Sequence, residues 1–442
     1  MSEDRGGGDR TAHGGKGSQR GDAWSDRTGP DLPARGGDPA RQERLRSINL
    51  ELVFRRLVAA AEPVSRTELA AATGLTRPTI TRIVDELITG RLVTETGTTP
   101  AGRAGRPRMG LQLSRSGPAG LGLDIRTDGL AACVVDLAGT VRHLAFAPLI
   151  DPEAPAVLDR LDRMATEAVE ATAREGLTVV TATLAVPGPT DGGIVRTAPA
   201  LGWRSVDAGA LLEERIGHLG LVCAVDNEAN LAARGERHAA RRAASEAPGD
   251  FGGAESVEDF VYVSAGLDIG AGIILDGRPM RGSHGWGGEL GHLTVDPDGK
   301  PCRCGARGCL QTYASIEAIL GEEAVPAGVT PDAAVLARAD AGDPETLAAL
   351  EGAAHALGVA LANALNLLDI DTVLLGGSYA VLSSWLLAGV EAEVNQRVLS
   401  AAWAPITVRP ATLGPDAAAI GAAAMVVDWI GADPSAWLAA QR

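Results

Sequence analysis

Residues 288–309 read GELGHLTVDPDGKPCRCGARGC, and this stretch says more about the architecture of the chain than any other. It holds three of the five cysteines, Cys302, Cys304 and Cys309, within eight residues, and His292 precedes them. Three thiolates and one imidazole can form a closed tetrahedral zinc site with no open position, which is typical of a structural metal site. The alternative is a set of free thiols near a surface histidine, but three cysteines at this spacing favour a metal.

On both sides of this stretch, from Leu121 onward, apolar runs alternate with alanine-rich helical segments such as Ala354–Leu368. Short apolar runs bounded by turn residues predict buried strands, and their mixture with helices predicts an α/β architecture. Cys133 and Cys223 fall within apolar runs and are expected in the core. The predicted strands are a pair within Leu121–Leu137 and single strands at Val179–Val186, Val222–Val225, Val261–Ser264 and Val373–Leu375.

The amino-terminal part of the chain differs from the rest in charge and composition. The 442 residues carry a formal charge of −16, which argues against a protein coated in nucleic acid. Residues 45–113 nevertheless hold ten basic and six acidic groups, which indicates a nucleic-acid reader joined to an acidic body. Residues 1–44 hold ten glycines and almost no large apolar side chain, so they are expected to form a disordered tail.

The basic segment has the pattern of a winged helix-turn-helix. Ser65 and Glu68 have the spacing of a capping box, and Thr76 is placed to cap the helix that follows. Together with the helical spacing of apolar residues, these caps predict three helices, at 47–61, 66–73 and 77–89. Two further runs joined by a Gly/Arg loop predict the strands of a wing, at Leu92–Thr96 and Met109–Leu113.

The side chains predicted to contact DNA lie on the third helix and in the wing loop. Arginine can donate two hydrogen bonds to the O6 and N7 atoms of guanine, and threonine can contact a thymine methyl group or a phosphate. Arginines on a loop suit a narrow minor groove. The predicted DNA-binding residues are Arg77, Thr79, Thr81 and Arg82 on the helix and Arg103 and Arg106 in the loop. The alternative is a small helical docking domain with a solvated arginine loop.

The GELGH segment at 288–292 and the CxCGxxGC pattern at 302–309 together resemble the signature of the ROK family, which is named for repressors, open reading frames and sugar kinases. The resemblance covers about residues 118–425, and the winged helix before it resembles the regulator branch of the family. Weaker matches follow the family's order along the chain: PGPTDGGIV at 187–195, LGW at 201–203, DNEAN at 226–230 and LGG at 375–377.

The resemblance implies an actin-like (ribonuclease H-like), two-lobed sugar kinase fold with a ligand cleft between the lobes. By position, a sugar in that cleft would contact Asn227, Glu228, Glu289 and His292, with zinc on the other ring nitrogen of His292. The expected domains are the tail at 1–44, the winged helix at 45–115 and the kinase-like sensor at 116–442. Within the sensor, the expected parts are lobe 1 at about 116–240 with a carboxy-terminal helix at 415–442, and lobe 2 at about 241–414 with the zinc loop 292–309.

The segments that hold phosphate in kinases of this family are altered in this chain. The family's DxGGT turn corresponds to DIRTD at 124–128, and its GTGIG loop corresponds to GLDIG at 266–270. Bulky and acidic side chains replace glycines and a hydroxyl, so repulsion of a polyphosphate is expected. Glu228 stands where the kinases have a catalytic aspartate. Ala200 and Gln311 replace an asparagine and a glutamate of the kinases, which leaves sugar binding itself open.

These observations predict a ROK-type transcriptional regulator, a repressor that binds operator DNA and senses a sugar or sugar derivative. A homodimer is expected because one helix-turn-helix reads too few base pairs for specificity, and paired dimers would form a tetramer. Structural zinc is the expected cofactor, and kinase activity is not expected. The alternatives are an ATP-dependent sugar kinase that carries a DNA-binding domain and a winged-helix scaffold that binds no ligand.

The sequence also bears on where the protein works. No run of 18 apolar residues is free of charge, so a membrane span is not expected. The first residues are polar and rich in glycine, without the apolar region of a secretory signal. The protein is therefore expected in the cytoplasm, at the nucleoid.

Overall fold

The structure is a computed structural model. Some of the features predicted from the sequence lie outside the residues that it describes. The tail up to residue 38 lies outside them, as do Thr127, Asp128 and Leu267 of the two altered phosphate loops. The described residues are 39–60, 62–99, 108–126, 129–246, 259–266, 268–321, 325–326 and 328–441.

The first elements form the predicted winged helix-turn-helix. They are the helices α1 (Pro39–Ala59), α2 (Arg66–Thr73) and α3 (Arg77–Thr89) and the strands β1 (Val93–Thr99) and β2 (Arg108–Leu113). The bounds of α2 and α3 agree with the prediction because their caps form as expected. The backbone N–H of Ser65 donates to the Glu68 carboxylate, and the Ser65 hydroxyl accepts from the Glu68 N–H. The strands β1 and β2 pair antiparallel as the wing.

The first helix is longer than the sequence pattern predicts. It begins at Pro39 rather than at residue 47, so residues 39–44 of the expected disordered tail are helical. Proline fits the first turn of a helix, where its missing N–H costs no hydrogen bond. The residues that follow it, Ala-Arg-Gln-Glu-Arg, all have good helix propensity, which explains the earlier start.

The first lobe is built on a five-stranded sheet with the strand order β10-β6-β3-β4-β5. β3 pairs antiparallel with β4 and parallel with β6, and β10 joins parallel at the edge of the sheet. Its elements are β3 (Gly117–Ile125), β4 (Gly129–Asp136), β5 (Val141–Pro148), α4 (Ala154–Ala173), β6 (Leu177–Val186), β7 (Thr190–Asp191), β8 (Ile194–Ala198), β9 (Trp203–Asp207), α5 (Ala208–Ile216) and β10 (Val222–Asn227).

The second lobe repeats this topology with the strand order β13-β12-β11-β14-β15. An antiparallel three-strand unit is again followed by two parallel strands, as expected for an actin-like fold. The elements are α6 (Glu228–Glu246), β11 (Phe260–Ala265), β12 (Ile269–Leu275), β13 (Arg278–Pro279), α7 (Gln311–Ala314), α8 (Ile316–Leu320), α9 (Pro331–Asp340), α10 (Pro344–Leu368), β14 (Thr372–Gly377), α11 (Ser378–Val381), α12 (Ser383–Arg397) and β15 (Thr407–Pro410). Two helices follow them in the chain, α13 (Ala417–Ala432) and α14 (Pro434–Ala440).

The predicted strands all form, among them β10 at the edge of the first sheet, but several strands were not predicted, including the mostly buried β12. The predicted strands β3, β4, β6, β11 and β14 lie inside their sheets and are mostly buried. β5 has exposed and half-buried residues along most of its length, and β15 has only four residues. Edge strands of this kind carry a weak hydrophobic signal, which explains why they were not predicted.

Two helices pack between the sheets. Helix α6 packs mainly on β11 and β12 of the second sheet, and α13 packs on β3, β4 and β6 of the first. The two helices cross at Gly235 and Gly421. A Cβ atom on Gly421 would lie 1.8 Å from the carbonyl oxygen of Leu231, so only glycine permits this approach. The lobes therefore meet along a crossing of two tightly packed backbones.

The carboxy-terminal segment is two helices rather than the single expected one. Asp433 separates them with an extended backbone, because the following Pro434 disfavours a helical residue before it. Helix α14 then packs on the winged helix: the indole Nε1 of Trp437 donates to the Gly90 carbonyl over 2.8 Å. The winged-helix core contains five buried residues from these helices, namely Val426, Val427, Ile430, Trp437 and Leu438.

Two helical segments are long and apolar enough to cross a membrane by length and composition alone. They are Pro344–Leu368 and Gly414–Ala432, and half or slightly more of the relevant stretch of each is buried inside the protein. Both pack as core helices, α10 in the second lobe and α13 between the sheets. Their apolar composition is explained by this packing.

Candidate functional site

The predicted metal ligands come together in one cluster. One side-chain atom each from His292, Cys302, Cys304 and Cys309 lies within 4.8 Å of the other three. The Sγ atoms of Cys304 and Cys309 are 3.7 Å apart, and Cys302 Sγ is 3.8 Å from His292 Nδ1. Sulfur atoms bound tetrahedrally at about 2.3 Å from zinc are separated by roughly 3.8 Å. The spacing of the cluster therefore fits a tetrahedral zinc ion.

The chain between the histidine and the last cysteine is folded back on itself to form the cluster. The backbone N–H groups of Val295 and Asp296 donate to the Gly308 carbonyl, and Cys302 N–H donates to the Ala306 carbonyl. Gly308 has φ +68°, and a Cβ atom there would lie 1.5 Å from the Asp296 carbonyl oxygen. This turn needs glycine, and it delivers Cys309 to the buried side of the cluster.

Of the predicted sugar ligands, Asn227 has a structural task as well. It caps α6: its Oδ1 accepts from the backbone N–H groups of Ala229 and Asn230 over 2.9 and 3.2 Å. Its Nδ2 donates to the Gly188 carbonyl over 3.0 Å, which ties the start of the interlobe helix to the PGP turn of the first lobe. One Nδ2 hydrogen is left for a ligand.

Glu228 lies at the centre of an acidic group drawn from both lobes. Burial is the main cause that raises its pKa, from an ordinary value near 4.5 to about 8, and the carboxylates of Asp124 and Asp268 add to the shift. Asp124 ends the buried part of β3, whereas Asp268 precedes β12 of the second lobe. Glu228 is therefore largely protonated at neutral pH and can donate a hydrogen bond.

Glu289 and His292 lie on the same short turn, beside the metal cluster. Burial raises the pKa of Glu289, the charge of Asp268 raises it further, and His292 opposes the shift. His292 Nδ1 faces Cys302, so its Nε2 is the nitrogen left for another partner. The charge of Asp268 acts on both Glu228 and Glu289, and Asn227 lies at the start of α6. Among the described residues that line the cavity between the lobes is Glu228, whereas Asn227, Glu289 and His292 are not among them.

The Asp268 carboxylate has a hydrogen-bond partner in Gln311, a residue that the sequence analysis considers only as a substitution. The Gln311 side chain donates through Nε2 to Asp268 Oδ1 over 3.0 Å and accepts through Oε1 from the Ile269 N–H over 2.8 Å. A glutamate at position 311 would place a second carboxylate against Asp268. The two replacements that the family resemblance implies at 268 and 311 are therefore complementary in charge and hydrogen bonding.

The other altered phosphate segment is also held in place by side-chain contacts. Arg126 donates to the Asp416 carboxylate over 2.8 Å and lies 5.4 Å from the centre of the Phe146 ring. It lines a cavity of about 610 Å³ between the lobes. Other residues around this cavity include Asp124, Ala200, Glu228, Ser264, Gly377 and Ala417. By the family resemblance, Arg126 stands at a position that is glycine in the kinases.

Two contacts across the lobes were not found by sequence reasoning. Arg281, which follows β13, forms an ion pair with Asp226 at the end of β10. The Nε1 atom of Trp286 donates to the Thr190 carbonyl over 3.1 Å, and the His284 ring stacks on Trp286 with 5.0 Å between ring centres. The signal in the sequence that could have indicated the Trp286 contact is a tryptophan between two glycines at 285–287, directly before the GELGH segment. The 281–288 loop therefore connects the lobes next to the metal cluster.

The predicted DNA-binding residues of α3 do not all lie on one face. Arg77, Thr81 and Arg82 are exposed. Thr79 is half-buried, and its hydroxyl is 2.9 Å from that of Thr76, the N-cap. Arg103 and Arg106 lie outside the described residues.

The comparisons with known proteins agree with this division of the chain. The model of the ROK family matches residues 120–428, and that of the MarR family matches residues 56–104. The chain is 29% identical over 399 residues to the xylose repressor of Bacillus subtilis, which covers 88% of this chain and 98% of that protein.

Solved structures show the same pattern. A ROK family transcriptional regulator, a homologue of the Escherichia coli Mlc protein, superposes with a TM-score of 0.70 at 27% identity. The match covers 89% of this chain and 99% of that one. A ROK family glucokinase from Streptomyces griseus, solved with glucose and AMPPNP, reaches a TM-score of 0.56 at 27% identity and covers 69% of this chain and 98% of its own. The regulator therefore matches a larger share of this chain than the kinase does.

Proposed function

The chain belongs to the ROK family and is a DNA-binding repressor of that family, and we propose that a sugar or sugar derivative bound between its lobes controls its affinity for an operator. The observation that carries this proposal is the path of helix α13. Ala417 and Ala418 at its start line the interlobe cavity. Its second half lies in the winged-helix core through Val426, Val427 and Ile430. A change in the angle between the lobes would therefore move the DNA reader.

The ligand acts through a difference in affinity between two states of the protein. To release the operator, it must bind more tightly to the state that does not bind DNA. A tenfold loss of operator affinity requires about 1.4 kcal/mol of coupling between the two sites. A change of this size is comparable to one or two hydrogen bonds that form only in one state.

We assign the sugar contacts to Asn227, Glu228, Glu289 and His292. Each sugar hydroxyl is both donor and acceptor, and this group offers both: an amide, a protonated Glu228 and a carboxylate. The ligand class is supported by the relative named xylose repressor and by the glucose complex of the glucokinase. His292 would bind the metal through Nδ1 and the sugar through Nε2.

The cluster of His292, Cys302, Cys304 and Cys309 would hold a structural zinc ion. Its distances and its donor set fit that ion, and four protein ligands leave no position for a substrate. The bound ion would fix the 293–310 loop and the orientation of the His292 ring. This would shape the wall of the sugar site.

For DNA, we propose that Arg77, Thr81 and Arg82 of α3 contact the operator, with Arg103 and Arg106 of the wing loop in the minor groove or on phosphates. Thr79 would act through the cap of the helix. Two chains related by a dyad would read a pseudopalindrome, and a homodimer is the proposed functional unit, with a tetramer of paired dimers at higher concentration. The site of action would be the nucleoid in the cytoplasm.

Phosphoryl transfer is the second candidate function, because one observation favours it. A carboxyl with a pKa of about 8 at the position of the kinase base is suited to take up a proton. Two side chains argue against it. By the family resemblance, Asp268 and Arg126 stand in the segments that hold phosphate in the kinases, where a carboxylate and a large side chain would oppose nucleotide binding. Both are held by contacts, Asp268 with Gln311 and Arg126 with Asp416. We therefore propose that the protein does not phosphorylate its ligand.

The decisive experiment is genome-wide capture of DNA fragments by the purified full-length protein, repeated with a panel of sugars and sugar phosphates. We expect a pseudopalindromic site that is lost on addition of one sugar. Arg82→Ala should abolish capture, whereas Arg160→Ala, an exposed arginine on α4, should leave it unchanged.

Two other outcomes of these measurements would support the alternative functions. A site indifferent to every sugar would reject the sensor and favour a scaffold that answers to a protein partner. Turnover of ATP with any hexose, absent in Glu228→Gln, would establish the kinase instead.

A further inference from the structure

The cysteines of the metal cluster differ in how far solvent reaches them. Cys302 and Cys309 are buried, at 8% and 0% exposure, whereas the Cys304 side chain is exposed. The two cysteines outside the cluster are Cys133, which is buried, and Cys223, which is half-buried. Among the five cysteines of the chain, Cys304 is therefore the thiol that a small molecule dissolved in water reaches most readily.

A second thiol lies close to Cys304 and is firmly anchored. The Sγ atoms of Cys304 and Cys309 are 3.7 Å apart. The Cys309 carbonyl accepts hydrogen bonds from the backbone N–H and from the hydroxyl of Thr312, each over 2.9 Å. The sulfur atoms of a disulfide are about 2.05 Å apart, so a shift of about 1.7 Å would join the two cysteines.

The turn that carries Cys304 can supply this movement. The next residue, Gly305, has φ +97°, and a Cβ atom on it would have no described atom within 4 Å, so the turn borders open space. The exposed Cys304 can therefore move toward the anchored Cys309. A disulfide from Cys302 to Cys304 would instead close a ring across a single residue, where the geometry of the bond is strained.

We propose that Cys304 and Cys309 form a reversible disulfide when the protein meets a peroxide, and that the cluster then loses its metal ion. The Cys304 thiolate attacks one peroxide oxygen, the O–O bond breaks and hydroxide leaves, so Cys304 becomes a sulfenic acid. The Cys309 thiolate then attacks the Cys304 sulfur and displaces a second hydroxide. The two thiolates lose two electrons, which the peroxide gains. His292 and Cys302 remain as donors, too few for a structural site that needs four.

Oxidation would also affect the chain next to the cluster. Gln311, two residues after Cys309, donates to Asp268 over 3.0 Å and accepts from the Ile269 N–H over 2.8 Å. Without the metal, the His292 ring would lose its fixed orientation. His292 is one of the proposed sugar contacts, so oxidation should weaken sugar binding. This last statement rests on the proposed function, whereas the disulfide rests on the cluster alone.

The test is treatment of the full-length, zinc-loaded protein with hydrogen peroxide, followed by measurement of free zinc and by peptide mass mapping. We expect the bound zinc to be released together with formation of a disulfide between Cys304 and Cys309. Dithiothreitol with added zinc should reverse both changes. Hydrogen exchange at the Ile269 N–H should become faster on oxidation. Cys223→Ser is the control and should release zinc as the wild type does.

A variant that keeps four metal donors separates the role of Cys304 from that of the other thiols. Cys304→His leaves two cysteines and two histidines, a donor set that also binds zinc, and it should release the ion about tenfold more slowly under peroxide. Equally fast release from this variant would overturn the proposal. Where the variant binds no zinc, the disulfide mapped in the wild type decides the question, because any pairing other than Cys304 with Cys309 contradicts the assignment.

Three further results would also reject the disulfide. They are retention of zinc under peroxide, oxidation of Cys304 to sulfinic acid without a disulfide, and a disulfide that dithiothreitol does not reduce. Purified protein that contains no zinc would instead reject the zinc site, and mass mapping would still decide whether the two thiols pair. None of these measurements uses a sugar or DNA, so their failure is distinct from failure of the repressor function.

Discussion

The cysteine cluster and the winged-helix core are built in opposite ways. The cluster takes all four candidate ligands from residues 292–309, and backbone hydrogen bonds within that loop position them. The winged-helix core takes most of its residues from 50–111 but is completed by Val426, Ile430, Trp437 and Leu438 from the other end of the chain. The cluster is formed by residues close together in the sequence and would be held by one metal ion. The winged-helix core also needs residues from the other end of the chain.

The difference shows where regulation can act. A closed metal site has one arrangement, so the proposed zinc ion would hold the 293–310 loop fixed. A core shared between the winged helix and α13 responds to any movement of that helix, and α13 also packs against α6 at the junction of the lobes. The rigid part of the molecule is thus next to the proposed ligand, and the responsive part is next to the DNA.

The largest effect is expected from removal of the proposed zinc ion from the cysteine cluster. Cys309→Ser is expected to reduce bound zinc from one ion per chain to none and to cost several kcal/mol of stability, because metal binding contributes to the folding of a site that has few other contacts. Zinc content and denaturant unfolding measure the two effects. Cys223→Ser, which lies outside the cluster, is the control and should retain zinc. Full stability without zinc would contradict the assignment.

Loss of the Trp437 side chain should destabilise the winged-helix core, which α14 completes. The side chain is 5% exposed and its indole donates to the Gly90 carbonyl, so Trp437→Ala should cost about 3–5 kcal/mol. The loss should appear as faster hydrogen exchange in the winged helix and weaker operator binding, with zinc content unchanged. Trp429→Ala, at a residue that is 37% exposed, is the matched control. An undisturbed winged helix would mean that this domain is stable alone.

The capping box of α2 allows the contribution of purely local contacts to the stability of the winged helix to be measured. Ser65→Ala removes the side-chain cap of α2 and should cost about 1 kcal/mol, well below the cost of Trp437→Ala. Thermal unfolding measures the difference, and Thr67→Ala at an exposed position of the same helix should change little. If the cap matters more than Trp437, local contacts dominate this domain.

A change in pH tests the environment of Glu228, whose charged neighbours come from both lobes. Its pKa in the folded protein is about 8 against an ordinary value near 4.5, so the folded state holds the proton more tightly than the unfolded state does. The contribution of this group to stability should therefore fall as the pH rises between these values. The melting temperature of Glu228→Gln relative to wild type should increase by a few degrees from pH 5 to pH 9. Glu170→Gln on α4 should show no such trend.

The local features could be predicted well from the sequence. Caps at Ser65 and Thr76 set the bounds of α2 and α3, and the spacing of His292 and the three cysteines predicted a cluster that the structure brings together. Buried strands were predicted because their side chains are apolar on both faces. The edge strand β5 was not, since its exposed face weakens the pattern.

Contacts between remote segments could not be predicted in this way. The pairing of Arg281 with Asp226 and of Gln311 with Asp268 joins residues that have no periodic relation in the sequence.

The sequence by itself determined the capped helices α2 and α3, several of the strands and the family, and it predicted the metal ligands, because each depends on residues near one another or on a motif in order. The tertiary structure alone decided that α14 completes the winged-helix core, that α6 and α13 cross at two glycines, and that the lobes are tied beside the cleft. The physical reason is that hydrogen bonds of caps and turns act within a few residues, whereas burial of apolar surface acts between any segments that the folded chain brings together.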